Sequence, residues 1–395
     1  VFVALALAAL LVPTGVVVLA ALALSTVVVV DAWSVRRPAA VSRSVPAVLS
    51  RGVPAPLVIE ADGAEVRQPA VPDVRVAADT VMARRRGRHT LPALAARRVG
   101  PLGLGRWDHP ALGDAAEVLV YPDMHAARRL AVAVRQGKLA DAGNRMRGPL
   151  GLGTEFESVR DYQRDDDIRQ VNWRATSRMQ KPMSNQYRVE QDRDVVCLVD
   201  TGRLMAAPVG DERTRLDAAL DAVAAVAAVA DVVGDRVGVV AFDNTVRRRV
   251  KPKRNGADAV VGAVFDLEPT DVESDYERAF QTVAGSKRAL VLVLTDLLEE
   301  TAAKPLVSAA PVLARRHAVV VAGSTDPDLA ALLDAPPAVA RDAYAAAVAV
   351  DVLAARRRVA ARLEAAGVGV LEAPPGELAA ACVRAYLRLK ARARL

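Results

Sequence analysis

The sequence predicts an α/β protein, a doubly wound and mostly parallel sheet preceded by a small β-sandwich and an N-terminal transmembrane segment. Three observations carry that expectation. Residues 1–30 contain no charged side chain. From about Ser44 to Tyr121 the chain is made of short alternating pieces broken by Pro and Gly. Beyond Asp192 short apolar runs alternate with helical stretches, as strands buried on both faces by crossover helices require.

The opening run exceeds the roughly 20 residues that cross a bilayer as a helix. Pro13, Thr14 and Gly15 interrupt it, which predicts one span or a hairpin with a short first arm within residues 1–33. A cleaved signal peptide would show a basic stretch ahead of a shorter apolar core, and a buried core helix is the remaining rival, so the expectation is an anchor. Arg36, Arg37, Arg43 and Arg51 follow it. Basic flanks are retained on the cytoplasmic side, so the body is expected in the cytoplasm. Cys197 and Cys382, both in apolar surroundings, are the only cysteines, which argues against a disulfide framework and agrees with a reducing compartment.

The balance of 53 Lys and Arg against 46 Asp and Glu leaves +7, and the basic residues are scattered. Aromatics make up 4% of the chain, too few for the stacking platforms of a single-stranded nucleic-acid groove. The expected charge partner is anionic lipid beside the anchor, not nucleic acid.

Behind the anchor three regions are expected. Residues 41–122 carry alternating pieces at 57–60, 74–76 and 117–120, which read as short strands of a sandwich. Residues 123–191 form a connecting segment, with a helix over 125–135 and a Gly-rich loop over 148–153. Residues 192–395 hold apolar runs at 195–199, 237–242, 289–294, 318–322 and 368–371, with helices expected over 215–233, 276–284, 303–316 and 342–366. That alternation predicts the doubly wound sheet.

Two of those runs end in acids, Asp200 and the pair Thr295-Asp296. Ligands of open α/β sheets bind at the carboxyl ends of strands near the topological switch point, so these acids are expected to lie close together. Ser274 or Asp275 would add an oxygen from the loop before the 276–284 helix. Such hard oxygen donors suit Mg²⁺. The arrangement resembles the von Willebrand factor type A domain, whose metal-ion-dependent adhesion site opens on Asp-x-Ser-x-Ser and closes on a second Asp. Here that motif reads Asp200-Thr201-Gly202-Arg203-Leu204. Gly202 and Leu204 replace both serines, so the degenerate site left is Asp200, Ser274, Asp275 and Asp296, with helix capping by the acids as the plainer alternative.

Acids and arginines alternate with aromatics over 153–190, a pattern suited to a network of Arg–carboxylate forks around Trp173 or to partner binding. Here a family resemblance becomes specific. Gly153-Thr154-Glu155-Phe156, Arg160-Asp161-Tyr162, Asp166-Asp167-Ile168-Arg169, Val171-Asn172-Trp173 and Ala175-x-Ser177-Arg178 resemble the signature of the bacterial family called domain of unknown function 58. Arg160, Tyr162, Asp166, Asp167, Arg169, Asn172, Trp173 and Arg178 are its candidate partner-binding residues. Further matches include Val199-Asp200-Thr201-Gly202-Arg203, Gly234-Asp235-Arg236-Val237-Gly238 and Glu273-Ser274-Asp275-Tyr276.

The resemblance implies a type A domain in a membrane-tethered protein working beside a MoxR-type AAA+ ATPase, as adaptor in the assembly or maturation of other proteins. Independent of it, the four histidines are scattered, and no G-x-S-x-G elbow or P-loop is present. These patterns would carry common hydrolytic or phosphoryl-transfer chemistry. The expectation is a non-enzymatic adaptor; a metal-dependent hydrolase or nuclease using Asp200 and Asp296 is the alternative.

Overall fold

The computed structural model describes residues 13–138, 150–163, 171–188, 193–210, 213–296, 300–334, 336 and 338–391. The chain divides into two compact units, Val1–Val120 and Tyr121–Leu395.

In the first unit, helix α1 (Thr14–Ser34) follows Pro13. Pro fits a helix start, where its missing N–H costs no bond. Its Gly15–Ser34 stretch is long and apolar enough to cross a membrane. Ser25 and Thr26 donate their hydroxyls back to Ala21 O and Leu22 O, both at 2.8 Å, so the few polar groups on its apolar face are satisfied within the helix.

Eleven short strands follow: β1 (Val41–Ser44), β2 (Val48–Ser50), β3 (Ala55–Pro56), β4 (Val58–Ala61), β5 (Glu65–Arg67), β6 (Val74–Val76), β7 (Thr80–Ala83), β8 (Gly87–Leu91), β9 (Leu94–Val99), β10 (Arg106–Leu112) and β11 (Ala116–Tyr121). They form four small sheets, ordered β1-β4, β10-β9-β5, β2-β11-β8 and β3-β7-β6. Leu49, Leu57, Val74, Val81, Ala83, Leu91, Val118 and Val120 make one core. The alternation that marked 74–76 and 117–120 in the sequence is the alternation of their side chains into and out of that core.

The second unit begins with helix α2 (Met124–Arg135), capped by the Asp123 carboxylate, which accepts from Ala126 N at 2.8 Å. Strand β12 (Leu150–Asp161) then pairs antiparallel with β13 (Met183–Arg188), and the short helix α3 (Trp173–Met179) lies between them in sequence. Residues 150–153, expected as a Gly-rich loop, fall within the span of β12, where the pairing register shifts between Leu150 and Glu155.

The remaining strands build one six-stranded sheet in the order β16-β15-β14-β17-β18-β19. They are β14 (Asp194–Asp200), β15 (Arg236–Phe242), β16 (Val246–Lys253), β17 (Ala289–Leu294), β18 (Ala318–Ser324) and β19 (Gly369–Ala373). All neighbours run parallel except β16, an antiparallel edge strand. The sequence pattern missed β16 because its Arg-Arg-Arg-Val-Lys-Pro-Lys face is solvent-exposed; an edge strand lacks the double burial that makes strands legible as apolar runs, and its basic side chains deter further pairing.

Both faces of the sheet are covered. Val195, Cys197 and Val199 pack on one side with α4 (Arg215–Val233), α5 (Ala257–Val264), α10 (Leu378–Ala391) and Ala127 and Ala131 of α2. Val196 and Leu198 pack on the other with α6 (Tyr276–Ala284), α7 (Glu300–Ala314) and α9 (Ala340–Ala365). A further helix, α8 (Pro327–Asp334), follows β18. Helix α4 is nearly all buried, which its Ala-rich composition permits, and a Thr214–Asp217 capping box starts it while Gly234 in the left-handed conformation ends it. The chain leaves β14 toward β15 on one side and crosses to β17 on the other, so the topological switch lies at β14 and β17, where Asp200 and Asp296 stand.

Candidate functional site

Asp200 closes β14 with 1% of its surface exposed. Its Oδ1 accepts from Gly202 N at 2.8 Å and Ser274 Oγ at 2.5 Å; its Oδ2 accepts from Thr295 Oγ1 at 2.6 Å and Tyr276 OH at 2.9 Å. Tyr276 OH also lies 2.8 Å from Thr295 Oγ1. Burial pushes the Tyr276 phenol well above its usual range, and the neighbouring Asp200 charge pushes it further, so the ring stays a neutral donor. The sequence placed Ser274 or Asp275 here, and the structure divides them. Ser274 binds Asp200, whereas the Asp275 carboxylate caps α6 by accepting from Arg278 N at 2.9 Å.

Asp296, also buried, faces another way. Its Oδ1 accepts from Arg356 Nη2 at 2.9 Å, and its Oδ2 from Arg215 Nη1. Arg215 opens α4 and reaches Asp326 at 3.3 Å; Arg356 lies on α9 and reaches Glu372 at 3.3 Å. Both guanidiniums are buried. Burial pushes Arg215 below its usual value, opposed by the Asp296 charge. The switch point is thus a hydroxyl-lined carboxylate beside a carboxylate clamped by two arginines.

Three other groups at this edge were not singled out in the sequence. Arg215 and Arg356 interrupt otherwise apolar helix faces, a signal visible only once those faces are known. Asp243, just beyond β15 and buried, accepts from Thr245 N at 2.9 Å, from Arg247 at 2.9 Å and from Thr270 Oγ1 at 3.3 Å. It repeats the strand-end acid of β14 and β17.

These residues do not fit a Mg²⁺ ion. A small cation needs carboxylate and hydroxyl oxygens turned toward one point with room for water, and each Asp296 oxygen already takes a guanidinium. Gly202 stands where the adhesion motif has a serine, and a Cβ there would run into Ser274 Oγ and lie 2.8 Å from Val272 O and 3.2 Å from Asp200 Oδ1. Among the described residues no group of three His, Cys, Asp or Glu side chains converges as a metal site. Of the four residues expected there, Ser274 turns to Asp200, Asp275 caps α6 and Asp296 is held by arginines, so in this arrangement their oxygens do not converge on one point.

The signature segment is organised by backbone and amide contacts. Asn172 caps α3, accepting from Ala175 N at 3.0 Å, and donates to Asn185 Oδ1 at 2.7 Å. Thr176 Oγ1 accepts from Met183 N at 2.9 Å and Tyr162 N donates to Pro182 O at 2.9 Å. Arg160 donates to Asp161 O at 2.9 Å, and Asp161 pairs with Lys181. Trp173, expected at the centre of an ion-pair network, is 72% exposed at the first turn of α3, and Arg178 is exposed in its last turn. Asp166, Asp167 and Arg169 lie outside the described residues.

An α/β protein with a mostly parallel sheet and an apolar N-terminal helix is therefore the class defined by the fold. The chain belongs to the family described as protein of unknown function DUF58, whose sequence profile matches residues 158–367. No curated protein matches the chain. Among solved structures it is similar to an uncharacterized membrane spanning protein from Vibrio fischeri, at 14% identity over 52% of this chain and 99% of that chain, with a TM-score of 0.15; a likeness that low carries no argument about fold.

Proposed function

We propose that this protein is a membrane-anchored, cytosol-facing and non-enzymatic adaptor whose second unit presents a von Willebrand factor type A-like domain to a partner protein. The antiparallel sheets of residues 41–122 serve as a β-sandwich beneath the anchor, 123–191 as the connecting segment and 192–395 as the presenting domain. The partner implied by the family resemblance is a MoxR-type AAA+ ATPase.

The observation that carries the reading is the projection of α9. Arg356 contacts Asp296 and Ser324 O, so it marks the level of the strand ends. The helix turns before it, from residue 340, extend about 24 Å further at the usual helical rise. This arm exposes Tyr344 (73%), Val350 (53%) and Val348 (44%), and α8, packed beside it, adds Leu332 and Leu333. Tyr344 and Val348, one helical turn apart, share a face of the arm, and large exposed apolar side chains grouped in this way support a protein-binding surface.

The alternative of a metal-dependent hydrolase needs open oxygens on Asp200 and Asp296, and both carboxylates are engaged. Cys197 is buried, which pushes its thiol up to about 12, away from the thiolate a nucleophile requires. The test is co-purification of the full chain, in detergent, with a MoxR-type ATPase of the same genome, together with the ATPase turnover. Binding or altered turnover supports the adaptor reading; neither, in the same experiment, overturns it.

A further inference from the structure

The β9–β10 turn, residues 100–105, is tied to α1 by a carboxylate. Asp31, one turn from the end of the helix and 3% exposed, accepts from Leu102 N at 3.0 Å through Oδ1, and from Leu104 N at 3.0 Å and Gly105 N at 2.9 Å through Oδ2. The turn approaches so closely that a Cβ on Gly105 would lie 2.7 Å from Val28 O and from Ala32 Cβ. Pro101 and Leu102 line one cavity with Thr26, Val27 and Val30, so the tip reaches back along the helix toward its middle. Its side chains nevertheless face outward: Leu102 is 63% and Leu104 46% exposed.

A turn with two exposed leucines, held against an apolar helix, is poorly suited to water. Its flanks are those of an interfacial element. Trp107 follows the turn and is partly exposed, and Trp33 stacks under the Arg36 guanidinium at 3.4 Å. Trp and Arg collect where hydrocarbon meets headgroups. Arg98, just before the turn, donates to Arg37 O at 3.1 Å. Asp31, otherwise costly on a bilayer-spanning helix, here supplies the acceptor that the turn's three backbone N–H groups would lack in lipid.

We propose that residues 100–105 are a second membrane-contacting element, a hairpin tip that inserts Leu102 and Leu104 into the bilayer interface beside α1, with Asp31 as its positioning residue. The ligand is the acyl-chain and headgroup boundary of the membrane. This rests on the reading of α1 as a span. The two units of contact together would fix the rotation and tilt of the helix, which one apolar helix alone leaves free.

The experiment uses the full chain in phosphatidylcholine–phosphatidylglycerol vesicles, with an environment-sensitive fluorophore on a cysteine introduced as Leu102→Cys, Leu104→Cys or Val18→Cys. Cys197 and Cys382 are buried, so the introduced thiol is the one labelled. Nitroxide on the lipid acyl chains is expected to quench labels at 102 and 104 as well as at 18, with aqueous iodide excluded. Quenching at 18 but iodide access at 102 and 104 overturns the inserted tip while leaving the span intact. Iodide access at all three sites overturns the span and the tip together. Adding Asp31→Ala should return the label at 102 to iodide with no change at 18; continued lipid quenching at 102 would remove Asp31 from the positioning role.

Discussion

Arg356, on a helix that crosses one face of the sheet, donates to Asp296 at 2.9 Å, and Arg215, from a helix on the opposite face, grips the other oxygen of the same carboxylate. One strand-end acid therefore joins both helical layers.

Removing that acid leaves two buried guanidiniums around an empty position. Asp296→Ala is expected to cost about 3–5 kcal/mol, the usual result of breaking a buried ion pair from one side. Thermal unfolding of the full chain in detergent measures it. Replacing the group together, Asp296→Leu with Arg215→Met and Arg356→Met, should recover most of the loss, since apolar residues of similar size often substitute for a buried pair without penalty.

Placing a serine at Gly202, the residue that the resemblance to the adhesion motif calls for, should harm the protein. Gly202→Ser puts a Cβ against Ser274 and Val272 O, and overpacking of this kind costs about 1–3 kcal/mol. Neither wild type nor Gly202→Ser should give a Mg²⁺ binding heat in calorimetry. A wild-type heat that disappears in Asp296→Ala would reinstate the metal site.

His317 makes stability depend on pH. It is 3% exposed and its Nδ1 accepts from Ala289 N at 3.2 Å, which requires a neutral ring. Burial lowers its pKa below the usual 6.5, with Arg316 and Arg288 adding to the shift. The unfolded chain then binds a proton that the folded chain refuses, so stability contributed at neutral pH is lost as pH falls through 6.5 toward the folded value. The thermal midpoint should drop over that window in wild type, and the drop should shrink in His317→Asn.

On the proposed adaptor reading, substitutions on the α9 arm should separate binding from stability. Tyr344→Asp with Val348→Asp changes exposed positions, so the thermal midpoint should move by no more than the equivalent of about 0.5 kcal/mol. Co-purification of the MoxR-type ATPase should fall sharply; undiminished capture would exclude the arm as the docking surface.

Much of the α/β unit was legible in the chain. The 289–294 run is β17, and the helices over 215–233 and 276–284 are α4 and α6 with the same limits, because strands buried on both faces are continuous apolar runs and capped helices announce their ends. Asp200 and Asp296 were legible as strand-end acids. Their partners were not: Arg215 and Arg356 are 81 and 60 residues from Asp296 in sequence, and no local pattern couples positions so far apart.

By itself, then, the sequence determined the apolar helix, the alternation of strand and helix and the acids at the switch point, all set by local periodicity and composition. Only the tertiary structure decided what those acids do, since a carboxylate's chemistry depends on which groups the fold brings within hydrogen-bond reach. Asp296 meets two guanidiniums, Asp200 meets hydroxyls and a backbone amide, and Asp31 meets three backbone amides from a turn 71 to 74 residues away.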